Sequence, residues 1–233
     1  MHDDDPPMGT LYLVRHGQAS FGAEIYDQLS PLGHRQCVAL GHYWRERGLQ
    51  FDAVLTGSLN RHGQSLAGIA EGLGCSLPAL IWPGLDEYDS AAVIDAIHPE
   101  PLERPDTPEL YRHHFRLLRT GLQAWMRGDT APVGMPTYAV FAAGVAGALN
   151  HVLASFSAKG SERVLLVSSG GPISTAVGQV LATSSDTTIE LNLRIRNASV
   201  TEFAFTPKRH MLLTFNTLPH LDSVEGMKMV TSA

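Results

Sequence analysis

The chain has few cysteines and few charged residues, and both shortages limit what the protein can do. Only Cys37 and Cys75 occur among 233 residues, and they form no metal-ligand spacing. We interpret them as small buried hydrophobic residues of a protein in a reducing compartment. Charged residues make up 17% of the chain and the formal net charge is −6, whereas a general polyanion binder is basic. We therefore expect no nucleic-acid partner, and any anion site has to be a local pocket.

An apolar targeting segment is also lacking at the start of the chain. Residues 1–8 are acidic and proline-rich, without the positive region and apolar core of a signal peptide. We expect residues 1–9 to form a disordered tail, residues 10–233 to form one domain, and the protein to be cytoplasmic. The longest uncharged run, residues 132–158, contains prolines, Asn150 and His151, which favours a buried core helix over a membrane span.

Short apolar runs alternate with helical patterns along most of the chain. The alternation predicts a three-layer α/β/α fold with a mainly parallel sheet covered on both faces. The short connection between the last two apolar runs predicts one antiparallel edge strand. Residues 89–134 depart from this pattern and are predicted to be a helical insertion that partly covers the carboxyl edge of the sheet. The predicted strands are residues 11–14, 51–56, 80–82, 163–167, 198–205 and 211–215.

The first predicted strand ends in Arg15, His16 and Gly17, a combination that apolar runs rarely carry. Ligands of open α/β sheets bind at the carboxyl ends of the strands. Arginine offers a planar fork of donors suited to phosphate, and histidine offers a nucleophilic ring nitrogen. Glycine lets the backbone turn and approach a ligand closely. The end of this strand is therefore the first candidate for an active site.

Two other strand-to-helix junctions and one loop carry polar residues that are expected at the same edge. These residues are Arg61, Glu87, Ser169 and Gly170. Because the carboxyl ends of parallel strands meet at one edge of a sheet, they are predicted to converge on His16. Arginine forks and the amide groups at a helix start both suit a phosphate group. Such a group reacts mainly through positioning and electrostatic stabilisation.

The residues around His16 resemble the Arg-His-Gly signature of the histidine phosphatase superfamily, in its phosphoglycerate-mutase-like branch. Members use this histidine to take a phosphoryl group from the substrate. Further segments resemble those of the family in the same order, so that the resemblance covers most of the chain. These segments are residues 29–36, 58–65, 85–87, 196–200 and 216–221.

The resemblance implies a role for each candidate residue. His16 is the expected nucleophile and Glu87 the acid that protonates the leaving group. The implied partner is a small phosphorylated substrate, and no metal or other cofactor is required, because arginines do the electrostatic work. The implied phosphate ligands are Arg15, Gln18, Arg61, Ser169 and Gly170.

Three arginines of the predicted insertion are candidates for choosing the substrate. Arg112, Arg116 and Arg119 lie at spacings of four and three, so that one helix face presents all of them. Acidic residues lie close by in the sequence. A solvated face that neutralises its own charge is an equally good interpretation.

Two positions depart from the family pattern. Gly22 stands where the family has an asparagine, and Ser169 stands where it has a second catalytic histidine. A serine hydroxyl donates a hydrogen bond but brings no positive charge. His62 is a conceivable substitute, although its position on the apolar stripe of its helix predicts that it belongs to the core.

The sequence therefore predicts a metal-independent phosphomonoester hydrolase that acts through a phosphohistidine on His16 and is slowed by Ser169. The alternative is a protein that binds a phosphorylated metabolite with little or no catalysis. A phosphoglycerate-type mutase is a weaker alternative.

Overall fold

Six strands form one sheet within the residues that the computed structural model describes, which are 8–20, 27–103, 106–156 and 160–232. The strands are β1 (Gly9–Arg15), β2 (Ala53–Thr56), β3 (Leu80–Ile81), β4 (Arg163–Ser168), β5 (Val200–Thr206) and β6 (Arg209–Thr217). The strand order is β3-β2-β4-β1-β5-β6. β1 and β4 pair in parallel, as do β4 with β2 and β2 with β3, whereas β5 is antiparallel to both β1 and β6. The prediction of a mainly parallel sheet with an antiparallel edge is confirmed.

Helices cover both faces of this sheet. They are α1 (Pro31–Glu46), α2 (Asn60–Leu73), α3 (Ser90–Asp95), α4 (Pro108–Arg127), α5 (Tyr138–Phe156), α6 (Gly170–Leu181), α7 (Ser185–Arg194) and α8 (Val224–Met227). Alternate residues of a strand belong to opposite faces. Val164 and Leu166 of β4 accordingly pack with α5 and α6, whereas Leu165 and Val167 pack with α1 and α2. Continuous burial on both faces explains why β4 is apolar throughout its centre.

Helix α1 begins where its sequence predicts. Ser30 is the N-cap, its hydroxyl accepts a hydrogen bond from the Gly33 amide at 3.0 Å, and Pro31 occupies the first turn. This cap fixes the end of the loop that follows β1. The start of α1 is thereby held close to His16.

Several boundaries differ from the predictions. β1 begins at Gly9, inside the stretch expected to be a tail, and residues 1–7 of that stretch lie outside the described residues. Helix α7 was not predicted, because residues 185–194 lack a clear apolar stripe. Cys37 is buried as expected, but Cys75 is exposed, so the interpretation of both cysteines as core residues is wrong for Cys75.

Helix α5 is the part of the long uncharged run that the structure describes as helical. By length and composition alone it could cross a membrane, and 22% of its most apolar window is buried inside the protein. One face of α5, carrying Val145, Ala148, Leu149 and Val152, packs into the core against the sheet. Burial of that face is what the sequence predicts for a core helix.

Candidate active site

The backbone at the end of β1 is held by its two neighbouring strands. Arg15 pairs with Ser168 of β4, and the His16 amide donates to the Ser168 carbonyl at 2.9 Å. On the other side, the Ala198 amide donates to the His16 carbonyl at 3.1 Å. Arg15 and His16 are both buried, with 6% and 4% of their surfaces exposed. The Arg15 guanidinium donates to the Ile195 carbonyl after α7.

His16 has a defined tautomer in this structure. Its Nδ1 lies 2.7 Å from the Gly17 carbonyl oxygen, which can only accept a hydrogen bond. Nδ1 therefore carries the ring hydrogen and Nε2 keeps its lone pair. Burial, Arg15, Arg61 and His62 together hold the pKa of His16 well below its usual 6.5, although the Gly17 carbonyl opposes the shift. The ring is thus neutral near pH 7 and has the electron pair that a nucleophile needs.

Arg61 lies in the first turn of α2, and its charge is positioned by Asp27. The Arg61 side chain is 8% exposed, and its guanidinium lies 2.9 Å from Asp27 Oδ1. The other Asp27 oxygen accepts a hydrogen bond from the Asn60 amide at 2.8 Å, so this carboxylate also compensates the start of α2. The charge of Arg61 lowers the pKa of both His16 and Glu87, which places it in their field. Sequence reasoning did not find Asp27, because the pairing connects residues far apart in the chain.

Glu87 contacts the start of α6. Its two carboxylate oxygens accept from the Gly171 amide at 3.1 and 3.2 Å. A Cβ on Gly171 would lie 2.2 Å from Glu87 Oε1, so only glycine permits this approach. Burial raises the pKa of Glu87 above its usual value, against the effects of the Gly171 amide, Arg61 and Arg15. Such a carboxyl group is suited to carrying a proton.

Ser169 is the N-cap residue of α6, and Gly170 is the first residue of that helix. Ser169 is fully buried, and its hydroxyl lies 2.7 Å from Nε2 of His62. The ring centres of His62 and His16 are 5.9 Å apart. His62 is buried, as its position on the apolar stripe predicts, and its ring lies beside that of His16 and against Ser169. We call the region between His16, Ser169, Glu87 and Arg61, where the sequence predicts that a phosphoryl group binds, the phosphoryl pocket.

Gln18 is tied to the start of α1. Its side-chain oxygen accepts a hydrogen bond from the Ser30 hydroxyl at 2.8 Å, and its backbone amide donates one to Gln36 Oε1 at 2.9 Å. Gln36 is completely buried and donates in turn to Met229 and Thr231 near the end of the described chain. This buried network, which the sequence did not reveal, orients the backbone that follows His16.

The three arginines of the predicted insertion lie on α4. The guanidinium of Arg112 pairs with Glu109 on the exposed surface, and that of Arg119 pairs with Glu190 of α7, whereas Arg116 is exposed. Their role in choosing the substrate stays a prediction. Burial raises the pKa of the Tyr111 phenol in the same helix, and the charge of Arg15 opposes that rise.

Gly22, the other departure from the family pattern, lies outside the described residues. Within the described part of the chain, no group of three or more histidine, cysteine, aspartate or glutamate side chains could hold a metal ion. The positive charges of Arg15 and Arg61 both act on His16 and Glu87.

The model of the histidine phosphatase superfamily (branch 1) matches residues 11–218. The chain belongs to this superfamily. Membership indicates a phosphatase-type function in general, and it agrees with the placement of His16 and Arg15 at the end of β1.

A curated relative of this superfamily member matches over a shorter stretch. A broad-specificity phosphatase of Saccharomyces cerevisiae is 35% identical over 71 residues. The match spans 28% of this chain and 31% of the yeast protein.

Solved structures of several enzymes share the fold. The phosphoglycerate mutase of Bacillus anthracis has a TM-score of 0.66 and 17% identity, over 93% of this chain and 96% of that one. A mycobacterial glucosyl-3-phosphoglycerate phosphatase has a TM-score of 0.63 and 22% identity, over 89% and 98% of the two chains. An Entamoeba histolytica phosphoserine phosphatase, solved with 3-phosphoglyceric acid, has a TM-score of 0.63 and 18% identity, over 91% and 99%. At these identities the likeness establishes the architecture.

Proposed function

We propose that the protein is a metal-independent phosphomonoester hydrolase that acts through a phosphohistidine on His16. One observation carries the proposal: Nδ1 of His16 is bound to the Gly17 carbonyl, which leaves Nε2 as a neutral nucleophile in the field of Arg15 and Arg61. The two arginines neutralise the charge of the transferring group, as a metal ion does in other enzymes.

In the first step, Nε2 of His16 attacks phosphorus in line with the leaving oxygen. The N–P bond forms while the P–O bond to the leaving group breaks. Glu87, whose pKa is raised by burial, gives its proton to the leaving oxygen, so that an alcohol departs rather than an alkoxide. Arg15 and Arg61 bind the equatorial oxygens, with Gln18, Ser169 and the Gly170 amide as additional ligands.

In the second step, water attacks the phosphohistidine. Glu87, now ionised, takes a proton from the water as the O–P bond forms and the N–P bond breaks. Inorganic phosphate leaves, and His16 and Glu87 return to their starting protonation states. The cycle needs no further reactant.

The substrate class is a small phosphorylated metabolite. The yeast relative is named a broad-specificity phosphatase, and fold neighbours were solved with phosphoserine and with 3-phosphoglyceric acid. Small phosphate esters of that kind are the substrates to test first. The cytoplasmic location stays a prediction.

The test is hydrolysis of p-nitrophenyl phosphate by the purified protein after dialysis against EDTA. Turnover should persist after the dialysis and fall by at least about 1000-fold in His16→Ala. A phosphohistidine at residue 16, which is labile in acid and stable in base, should appear by mass spectrometry after rapid quenching in base. Tight phosphate binding with no turnover would instead favour the metabolite-binding alternative, and phosphoryl transfer to a second metabolite in preference to water would favour the mutase.

A further inference from the structure

His62 is a buried titratable residue at the phosphoryl pocket that takes no part in the two steps proposed for His16 and Glu87. The His62 side chain has no exposed surface, and its ring centre lies 5.9 Å from that of His16. Burying an imidazole destabilises the folded protein unless its nitrogens have hydrogen-bond partners, because burying an unsatisfied polar group is costly. Its surroundings therefore indicate what it does.

His62 connects a carboxylate to a hydroxyl. Its Nε2 lies 2.7 Å from Ser169 Oγ, and its Nδ1 lies 3.6 Å from Asp86 Oδ1, an ion-pair distance longer than a hydrogen bond. Asp86 itself is fixed, since its Oδ1 accepts from the Ser58 amide at 2.6 Å and its Oδ2 accepts from the Ser58 hydroxyl. The three side chains thus follow one another, with His62 between Asp86 and Ser169, and we call this series Asp86–His62–Ser169 the relay.

The Ser169 end of the relay lies beside the nucleophile. Residues 15 and 168 are partners in adjacent parallel strands, and the His16 amide is bonded to the Ser168 carbonyl. His16 and Ser169 are the residues that directly follow those two strands. A phosphoryl group on its way to His16 is therefore within reach of the Ser169 hydroxyl.

The backbone at the end of β2 leaves room for the relay. A Cβ on Gly57 would lie 2.2 Å from His62 Nδ1 and 2.6 Å from Asp86 Oδ1. Only glycine allows the imidazole and the carboxylate to meet there. By contrast, a Cβ on Gly63, one residue after His62, would meet nothing within 4 Å.

The charges around His62 determine its protonation. Burial and Arg61 lower the pKa of His62, whereas Asp86 and Asp27 raise it, and the net direction is downward. His16 also faces the ring, and His62 lowers the pKa of His16. These effects together favour a neutral His62 near pH 7. A bound phosphoryl dianion adds negative charge at the Ser169 end and favours the protonated ring.

We propose that His62 is a positioning residue that takes up a proton when a phosphoryl group binds and, held by Asp86, turns the Ser169 hydroxyl into a charge-backed hydrogen-bond donor. With His62 neutral, its Nδ1 hydrogen points toward Asp86 and Nε2 accepts from the Ser169 hydroxyl. With His62 protonated, Nε2 donates to Ser169 Oγ and the hydroxyl hydrogen turns to a phosphoryl oxygen. The proton comes from solvent on binding. The proposal rests on the proposed function of His16.

The relay makes Ser169 more effective than an isolated serine. Hydrogen bonds that involve an ionised group are roughly twice as strong as neutral ones. Ser169 carries no positive charge. Protonated His62 of α2 supplies that charge from one side chain further away from the phosphoryl group. Ser169 touches the substrate, whereas His62 and Asp86 act through it.

A double-mutant cycle tests the coupling, with p-nitrophenyl phosphate turnover and vanadate affinity as readouts. Ser169→Ala should lower kcat/KM by about 100-fold and His62→Gln by about 10-fold, with the loss in kcat rather than in KM. The double variant should be no worse than Ser169→Ala. Losses that multiply in the double variant would show that His62 does not act through Ser169.

Relocating the imidazole is a second arm. The variant that combines His62→Ala with Ser169→His should be at least about tenfold more active than the variant that combines His62→Ala with Ser169→Ala. Ser169→His in the wild type is the control, because a histidine at position 169 can act without His62: an equal gain from Ser169→His in the two backgrounds would show that His62 has a purely structural role. Gly57→Ala should reproduce the His62→Gln defect because its methyl group displaces the ring, and Gly63→Ala, the matched control, should retain wild-type activity.

Binding measurements separate this proposal from the proposed function. Calorimetry of vanadate binding in buffers of different ionisation enthalpy should show more proton uptake by the wild type than by His62→Gln. Vanadate binding does not depend on turnover. An inactive wild type would contradict the proposed hydrolase function, and the proton uptake would still test the relay. Equal proton uptake by both proteins, or phosphate trapped on Ser169 as a nucleophile, would overturn the relay.

Discussion

Gly17 and Gly33 approach each other closely through their backbones, so that the segment after β1 that carries the nucleophile packs directly against α1. A Cβ on Gly17 would lie 2.3 Å from the Gly33 carbonyl oxygen, and a Cβ on Gly33 would lie 2.2 Å from the Gln18 carbonyl oxygen. These obstacles are backbone atoms, which cannot rotate away as a side chain can. The Gly17 amide also donates to the Ser65 hydroxyl at 3.1 Å, which ties the same turn to α2.

Gly33→Ala should therefore destabilise the protein and displace the turn that holds His16. Overpacking of a tight contact costs about 1–3 kcal/mol, so a clear fall in the free energy of unfolding is expected by urea denaturation. Turnover should fall as well, because the Gly17 carbonyl orients the His16 ring. Gly63→Ala also adds a methyl group to a helix, but into open space, and should leave both quantities unchanged or slightly improve stability.

The pH dependence of kcat/KM should be bell-shaped. His16 must be neutral to attack, and since its pKa is well below 6.5, the acidic limb should lie below pH 6.5. Glu87 must be protonated to act as an acid, so activity should decline as the pH rises past the raised pKa of this group. Arg61→Gln should move the acidic limb to higher pH, because it removes a charge that lowers the pKa of His16. Arg127→Gln, an exposed change at the far end of α4, should leave the limb in place.

The role of Glu87 should show in its dependence on the leaving group. Glu87→Gln should slow the hydrolysis of an alkyl phosphate such as glycerol 2-phosphate by about 100-fold or more, because the leaving alkoxide then receives no proton. p-Nitrophenolate leaves readily without protonation, so formation of the phosphoenzyme from its ester should slow far less in rapid-quench measurements. Equal losses for the two esters would remove Glu87 from the acid role.

The arginines of α4 are tested by charge reversal. Arg112→Glu, Arg116→Glu and Arg119→Glu should each change the ranking of anionic substrates by kcat/KM if their helix face selects the substrate. Arg119→Glu also breaks the contact with Glu190, so its thermal unfolding should be compared with that of the wild type. Arg127→Glu is the control on the same helix. A substrate ranking that is identical in all four variants would mean that the three arginines are only solvated surface residues.

Stability should fall in mild acid because of buried histidines. Burial lowers the pKa of His220 to about 4, and neither of its ring nitrogens has a hydrogen-bond partner among the described residues. Its unfolded-state pKa is about 6.5, so the unfolded chain binds the proton first. The stability it contributes is complete above pH 6.5 and is lost as the pH falls toward 4, by at most about 3 kcal/mol. His220→Phe should flatten the loss of stability between pH 6.5 and 4, whereas the same change at the exposed His42 should not.

The layout of strands and helices could be predicted from local sequence. The apolar runs gave the strands of the parallel part, and Ser30 and Pro31 marked the start of α1 correctly, because capping and side-chain periodicity depend on residues only a few positions apart. The cluster Arg15, His16 and Gly17 could be recognised as an active-site element for the same reason. Helix α7 was missed, since its pattern is weak and its packing against α4 and α6 supports it instead.

What surrounds His16 was decided by the tertiary structure. The periodicity of α2 correctly indicates that His62 is buried, but burial alone does not say which neighbour a side chain meets. The orientation of α2 on the sheet brings His62 to Ser169, 107 positions away, and the glycine at position 57 leaves the space for Asp86 to join it. Asp27 and Gln36 reached the site in the same manner, through contacts between distant segments. Such contacts depend on how the elements pack, and local sequence carries no signal for that.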